Sequence, residues 1–452
     1  MCNKYLVTCA AAVLPLCVGT SALAQSSTPA PAAAQPAEGY SLTGTALKPP
    51  SADGQQVTAA PYAISGTGFS GTERAADSIL TAAIPQGAAP FKTESGIYLY
   101  PTVFTGIGYN DNVQLTPTNA IGSSFIHVAP QLVAELKHKG DRYTALASVN
   151  RTVFSSSSPD NFTNSEFELA GDNYFSARAR AGWAVGYVNG TDARGAFNRP
   201  ESPELDRWHM TSVNGRLIYG APEAQGRIEV DLGTRAKTYD NNRTITAVDD
   251  VTVNSVAGRV FYRLGSRSLA LVELRNDKAN YSDALSTSGN TERRYYLGYT
   301  WDATAATTGI VKIGRMTKDF DAANREGFGG GSWEAAVRWS PRTYSVFELQ
   351  TGRATGDSSG VGTYELNTTT SLSWKHNWTK SLSSEAAISN LNRSYGGSTR
   401  TDTANSYSLA VDYAVLRWLK VGVDLSKTDY SSNDPTAEYK RNVMMFTLNA
   451  SL

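Results

Sequence analysis

The chain has 452 residues, with 41 Lys plus Arg balanced by 41 Asp plus Glu, so it carries no net charge at neutral pH. That balance, with no extended basic cluster, excludes the electrostatic footprint of a nucleic-acid-binding protein. Tyr outnumbers Phe by 23 to 14, Gly reaches 39 and His is down to 4, a mix that favours strands and turns over helices.

In chain order the first element is a cleavable export signal over residues 1–24. Lys4 gives a positive start, residues 5–18 an apolar core broken by Pro15, and Ala22-Leu23-Ala24 a small-x-small cleavage pattern. That core is short of the ~20 residues a spanning helix needs, and Leu16 before Cys17 does not suit a lipoprotein. Cys2, Cys9 and Cys17 all lie in the signal, so the mature chain has no disulfide to rely on. Residues 25–94 follow as a low-complexity periplasmic segment, with PAPAAAQPAEG too poor in apolar surface to fold alone. Within it, 75–84 could form a short helix that plugs a lumen or touches a partner, and further linker is the equal alternative.

From residue 95 to 452 the texture changes to segments that alternate in polarity with period two. Eighteen are expected, near 96–110, 123–137, 142–155, 162–176, 179–190, 206–219, 226–239, 250–263, 267–281, 291–303, 307–319, 330–340, 343–355, 362–377, 381–394, 403–415, 418–430 and 438–452. RIEVDLGTRAKTY shows the pattern: Ile228, Val230 and Leu232 alternate with Arg227, Glu229, Asp231, Arg235 and Lys237. Short turns such as HKGD, LGSR and SPRT follow even-numbered segments, and longer polar loops follow odd-numbered ones. A soluble sandwich has no cause for that rule, whereas an outer-membrane barrel has short periplasmic turns and long extracellular loops. The mature chain holds no apolar run long enough for a membrane helix. A closed, all-β antiparallel barrel of about 18 strands is the remaining way to cross a bilayer with every backbone group paired.

A lipid-facing Arg or Lys costs about 2–4 kcal/mol at the midplane, so the mid-strand charges should face the interior. The candidate lumen residues are Arg216, Arg227, Glu229, Asp231, Arg235, Arg259, Arg294, Tyr296, Arg338 and Asp424. Such a wall either holds hydroxyl-rich or anionic chains by weak, replaceable hydrogen bonds or forms cross-strand ion pairs that stiffen it. Inward Tyr239, Tyr296 and Phe261 could stack on sugar rings or pack on lumen neighbours. Tyr109, Tyr281, Tyr395 and Tyr430 are expected as the outer aromatic girdle, and Trp301, Trp339, Trp374 and Trp418 as the inner one. The last strand, NVMMFTLNASL, alternates as the barrel-assembly machinery requires of a carboxyl-terminal signal.

No catalytic, cofactor or metal site is expected. His127, His138, His209 and His376 have no partner at ligand spacing, and His127 or His209 beside a loop carboxylate could at most mimic a hydrolase. GFGGG at 327–331 lacks the Lys-Ser/Thr and strand-to-helix context of a phosphate loop and is expected as a flexible extracellular loop.

Tyr109-Asn110-Asp111-Asn112-Val113, then His127-Val128-Ala129-Pro130, Asp192-Ala193-Arg194-Gly195 and Tyr239-Asp240-Asn241-Asn242 run in one order along the barrel. Together they resemble the β-barrel porin type 2 family, outer-membrane barrels often associated with exopolysaccharide gene clusters (EpsL-like proteins). The resemblance covers about residues 95–452 and implies a channel for polysaccharide export or a general porin. It also implies partners: outer-membrane lipid and lipopolysaccharide, the assembly machinery, periplasmic and inner-membrane polysaccharide synthesis and export proteins, and the polysaccharide itself. A plugged structural or adhesive barrel is the alternative outside transport.

Overall fold

The computed structural model describes residues 91–452 except 193, 195–201, 203, 222, 305–306, 358–359 and 452. The expected export signal, most of segment 25–94 and the possible helix at 75–84 lie outside the described residues. Eighteen barrel strands follow in order: β1 (Tyr98–Asn110), β2 (Ser123–His138), β3 (Asp141–Phe154), β4 (Phe162–Tyr174), β5 (Ala179–Asp192), β6 (Asp206–Tyr219), β7 (Gly226–Tyr239), β8 (Val251–Gly265) and β9 (Ser268–Tyr281). The second half comprises β10 (Asn290–Thr304), β11 (Thr307–Phe320), β12 (Phe328–Arg342), β13 (Ser345–Asp357), β14 (Tyr364–Asn377), β15 (Leu382–Tyr395), β16 (Thr401–Leu416), β17 (Leu419–Ser432) and β18 (Tyr439–Ser451). All eighteen expected segments appear, with boundaries moved by two residues at most.

Every strand pairs antiparallel with its neighbours, and β18 returns onto β1 from Val443↔Asn110 to Ser451↔Thr102. That pairing closes the sheet. No described helix is long and apolar enough to cross a membrane. Below Ser451 the free edge of β1 is taken by Phe91 and Lys92, which pair with Leu99 and Tyr98. Pro101 falls between those two ladders, where on that side no partner is lost by its missing N–H. At the first short turn Lys139 and Gly140 both have positive φ, 50° and 98°. Two such residues make the tight hairpin turn whose twist matches that of its strands.

Alternation sorts the faces as the sequence predicts. Leu297, Ile107 and Ile313 stand outward at 65%, 64% and 63% exposure, while Tyr296, Asp231 and Lys312 on the other face are buried. The outward belt is what lipid covers. At the short-turn end it closes on an aromatic stack, with Phe347 between Trp339 (5.2 Å) and Trp374 (5.9 Å). The outer girdle differs from expectation. Tyr109 is outward and half exposed, but Tyr281, Tyr395 and Tyr430 point inward, because each hydroxyl finds a carboxylate there. Tyr281 donates to Asp357 (2.6 Å), and Tyr395 and Tyr430 both donate to Asp402 (2.6 Å each).

Candidate functional site in the lumen

Strand register builds the inner wall from β6 to β13. Arg216 lies opposite Asp231, Glu229 opposite Arg259, Arg259 opposite Glu273, Lys312 opposite Glu334, and Arg338 opposite Glu348. Opposite charges directly across a ladder attract, and here they meet. Arg216 Nε donates to Asp231 (2.7 Å), Arg259 Nε to Glu229 (3.0 Å) with a second bond to Asp231, and Arg227 reaches Glu229 at 3.0 Å. Lys312 Nζ joins Glu273 (3.0 Å) and Glu334, and Arg275 bridges the same two glutamates. Arg294 pairs with Glu292 and approaches Glu334 at 3.8 Å. Arg338 meets Glu348 at 3.5 Å.

Nine of the ten candidate residues fall on this charged wall, and Asp424 lies on the inner face of β17 opposite Ala410 and Met445. Arg235, on β7, sits toward the outer end opposite Ser212 and Val253. Most are engaged with one another rather than presented to the lumen, since Arg216, Glu229, Asp231, Arg259, Arg294 and Tyr296 are all at most 2% exposed. Tyr296 bonds Ser332 (2.7 Å), Phe261 lies under the Arg227 guanidinium (4.5 Å), and Tyr239 donates to Asp192 (2.8 Å). These rings are packed, not open for stacking. Lys312 at the centre of the network was missed by the sequence analysis, although IVKIGR places it between outward Val311 and Ile313.

The rest of the wall is different. From β14 round to β3 the mid-depth inward positions are mostly small and uncharged, including Thr369, Ser406, Ser408, Thr428, Thr447 and Ser148. Among them Thr144 Oγ1, Asn150 Oδ1, Thr369 Oγ1 and Ser408 Oγ have no protein hydrogen-bond partner.

The outer mouth is narrowed by residues 111–122. Asn112 accepts from Thr116 N (3.0 Å) and donates to the carbonyls of Thr116 (2.8 Å) and Lys440 (3.0 Å), which turns the chain inward. Val113 then packs on Phe125, Phe154, Phe162 and Met445, and Leu115 on Leu391, Ala404, Tyr430 and Tyr439. The loop therefore spans the inner faces of strands on both sides of the β18–β1 closure. A long polar extracellular loop is expected after the first segment; the structure folds that loop into the barrel, because Val113 and Leu115 find apolar walls there.

Three connections are tied together at Asp160. Its carboxylate accepts from Arg194 Nε and Nη2 (2.7 and 2.6 Å), from Gln114 Nε2 (3.1 Å) and from Ser157. Burial pushes this carboxyl up, but the bonds from Arg194, Ser157 and Gln114 outweigh it and hold the pKa below the ordinary value. A depressed pKa stabilises the folded loops above the ordinary carboxylate range, and that contribution fades as pH falls through the lowered value. Asp160→Asn is expected to abolish this pH dependence and raise hydrogen exchange in residues 111–122. Unchanged protection of these amides, relative to their intrinsic exchange rates, as pH falls from neutral through the ordinary carboxylate range would contradict the tie.

Two further expectations are corrected or resolved here. GFGGG is not loop: residues 328–331 are strand, paired with β11 from Lys318↔Phe328 to Arg315↔Gly331. Glycine's weak strand propensity is overridden by a ladder that continues past it. His127 Nδ1 meets Thr152 Oγ1 (2.9 Å), and His209 Nδ1 meets Asp240 (2.7 Å) beside Tyr187. Among the described residues no three metal-ligating side chains converge.

No curated protein sequence matches the chain. Solved structures with a similar shape include Pseudomonas aeruginosa OccK2 in complex with glucuronate, at 11% identity and TM-score 0.46, covering 80% of this chain and 100% of that one. A BenF-like porin from Pseudomonas fluorescens Pf-5 aligns at 11% identity and TM-score 0.45, covering 79% and 99%. The FrpB iron transporter from Neisseria meningitidis aligns at 9% and TM-score 0.41, covering 78% and 82%. The family model described as "Putative beta-barrel porin 2" matches residues 95–452. An inward-facing polar wall, an outward apolar belt and that match agree: the chain belongs to this outer-membrane β-barrel porin family.

Proposed function

We propose that the protein is an outer-membrane channel along whose half-wall of mostly small polar side chains a hydroxyl-rich polymer, an exopolysaccharide, leaves the cell. One observation carries this reading: at mid-depth the inward positions from β14 to β3 are mostly small hydroxyl and amide side chains such as Thr369, Ser408 and Thr447, with Asp424 among the few charges. A moving chain needs many weak, replaceable hydrogen bonds, and neutral groups supply them without the tight hold of a free charge. The charged half-wall, neutralised within itself, acts as the stiff side of the conduit. The chain carries no nucleotide-binding motif, so passage is diffusive or driven by periplasmic and inner-membrane synthesis and export proteins. The inward fold of residues 111–122 favours a second reading, a diffusion porin for small solutes, because it narrows the mouth.

Full-length protein in planar bilayers separates the two. The export reading expects steady conductance with current blockades when neutral oligosaccharides are added. Steady current without blockades leaves the porin reading alone, and absence of current sinks both in favour of a plugged structural barrel. In cells, deletion that leaves surface polysaccharide unchanged removes export.

A further inference from the structure

Outward positions near the outer ends of β9 to β13 change character abruptly. Along β11, Val311 and Ile313 give way to Arg315; along β10, Leu297 and Tyr295 give way to Arg293; along β13, Leu349 and Thr351 give way to Arg353. Apolar belt followed at once by cations marks the level where lipid tails meet headgroups. The cations at this level fall into two groups. Lys278 has Asp321 at 2.6 Å and Arg293 has Asp319 at 2.9 Å. Among the described residues Arg315 and Arg353 have no carboxylate partner: Arg353 donates one bond to the Gly331 carbonyl (3.2 Å) and otherwise lies over Trp333 and Phe328.

These two arginines flank the glycines of β12 from either side. Arg315 is opposite Gly331 in the β11–β12 ladder, and its Nη2 lies 3.4 Å from where a Cβ on Gly329 would stand. Arg353, opposite Trp333 on the next strand, reaches back to Gly331. Their strands are two spacings apart, about 10 Å, and between them β12 offers glycine backbone instead of side chains. The β12–β13 ladder itself stops at Trp333↔Arg353, although β12 stays paired with β11 up to Phe328. Two cations that form no ion pair among the described residues, one level above the apolar belt, match an anion that lives at that level.

We propose that the outer face of β11–β13 binds a phosphate of the phosphorylated glycolipid in the outer leaflet, held between Arg315 and Arg353. Guanidinium groups suit phosphate through planar, charge-assisted paired bonds, and Trp333 below them packs on the adjoining acyl region. The inference rests on the outer-membrane location and not on what crosses the lumen.

The test uses full-length protein purified in detergent and titrated with lipopolysaccharide, with native mass spectrometry reading the bound lipid. Arg315→Gln with Arg353→Gln is expected to weaken binding about tenfold or more, the loss expected for charged hydrogen bonds. Arg293→Gln, whose cation already has Asp319, should leave binding within about twofold. Enzymatically dephosphorylated lipopolysaccharide should bind wild-type protein as weakly as intact lipopolysaccharide binds the double variant, a comparison that needs no altered protein. Heat-modifiable migration on gels reports that each variant is a folded barrel. Equal binding by the double variant, or by dephosphorylated lipid, overturns the proposal. Displacement by inorganic phosphate at the same phosphate concentration also overturns it, since the site would then take free anion.

Discussion

Lys312→Met is expected to cost the barrel about 3–5 kcal/mol and to shift its heat-modifiable transition to markedly lower temperature. The figure is that for removing one partner of a buried ion pair. Lys312 is wholly buried and its ammonium lies between Glu273 (3.0 Å) and Glu334. Without it, two carboxylates on one wall keep only Arg275 in common, and like charges in a site of low dielectric repel strongly. Adding Glu334→Gln to Lys312→Met should recover much of the loss, because the remaining Glu273 keeps Arg275. A network that merely decorates a water-filled lumen behaves otherwise: water would solvate the stranded carboxylates, and the single variant would melt within about 1 kcal/mol of wild type. Thermal migration of the three proteins on one gel distinguishes these outcomes.

That network shows what alternation discloses and what it hides. Period two told inward from outward along strands such as 226–239, because one face must tolerate lipid and the other must not. It told equally that Arg216, Glu229 and Arg259 belong inside. It could not say that they pair, since pairing depends on register between strands, and register is set by turn geometry and closure of the whole barrel. Arg259 stands opposite both Glu229 and Glu273 only because β8 lies between β7 and β9 at that offset. Tyr395 and Tyr430 were misplaced for a related reason. Aromatic residues at strand ends suit an interface girdle by composition, but their hydroxyls are claimed by Asp402, which is remote from Tyr430 in sequence. The glycine run at 327–331 carries no strand signal of its own, and residues 328–331 become strand because the ladder anchored on β11 continues through them. The half-wall of small polar residues was legible residue by residue yet not as a surface, since its members come from β14 to β18 and then β1 to β3.

The loop at 111–122 carries the other large expectation. Leu115 has φ of 57°, a left-handed conformation that costs a non-glycine residue about 1–2 kcal/mol. Burial of its side chain against Leu391, Tyr430 and Tyr439 gives about 1.5–3 kcal/mol in return, so at this position the inward state has little to spare, although Val113 and Asn112 anchor the start of the loop. Leu115→Asp places a carboxylate in the apolar cluster and is expected to expel the loop. If the loop sets the resistance, unitary conductance in planar bilayers should rise about two- to threefold, and large neutral solutes should then enter more freely. The strand ladders are untouched, so the barrel should keep its heat-modifiable migration. Leu115→Ala keeps the backbone penalty and removes most of the burial, and should give currents that flicker between the two levels. Leu115→Asp with unchanged conductance would mean that the lumen is limited elsewhere, at the level of the charged wall. The same loop joins Gln114 to Asp160, so lowering the pH on the outer side should move native conductance in the direction of Leu115→Asp, and Asp160→Asn should remove that response.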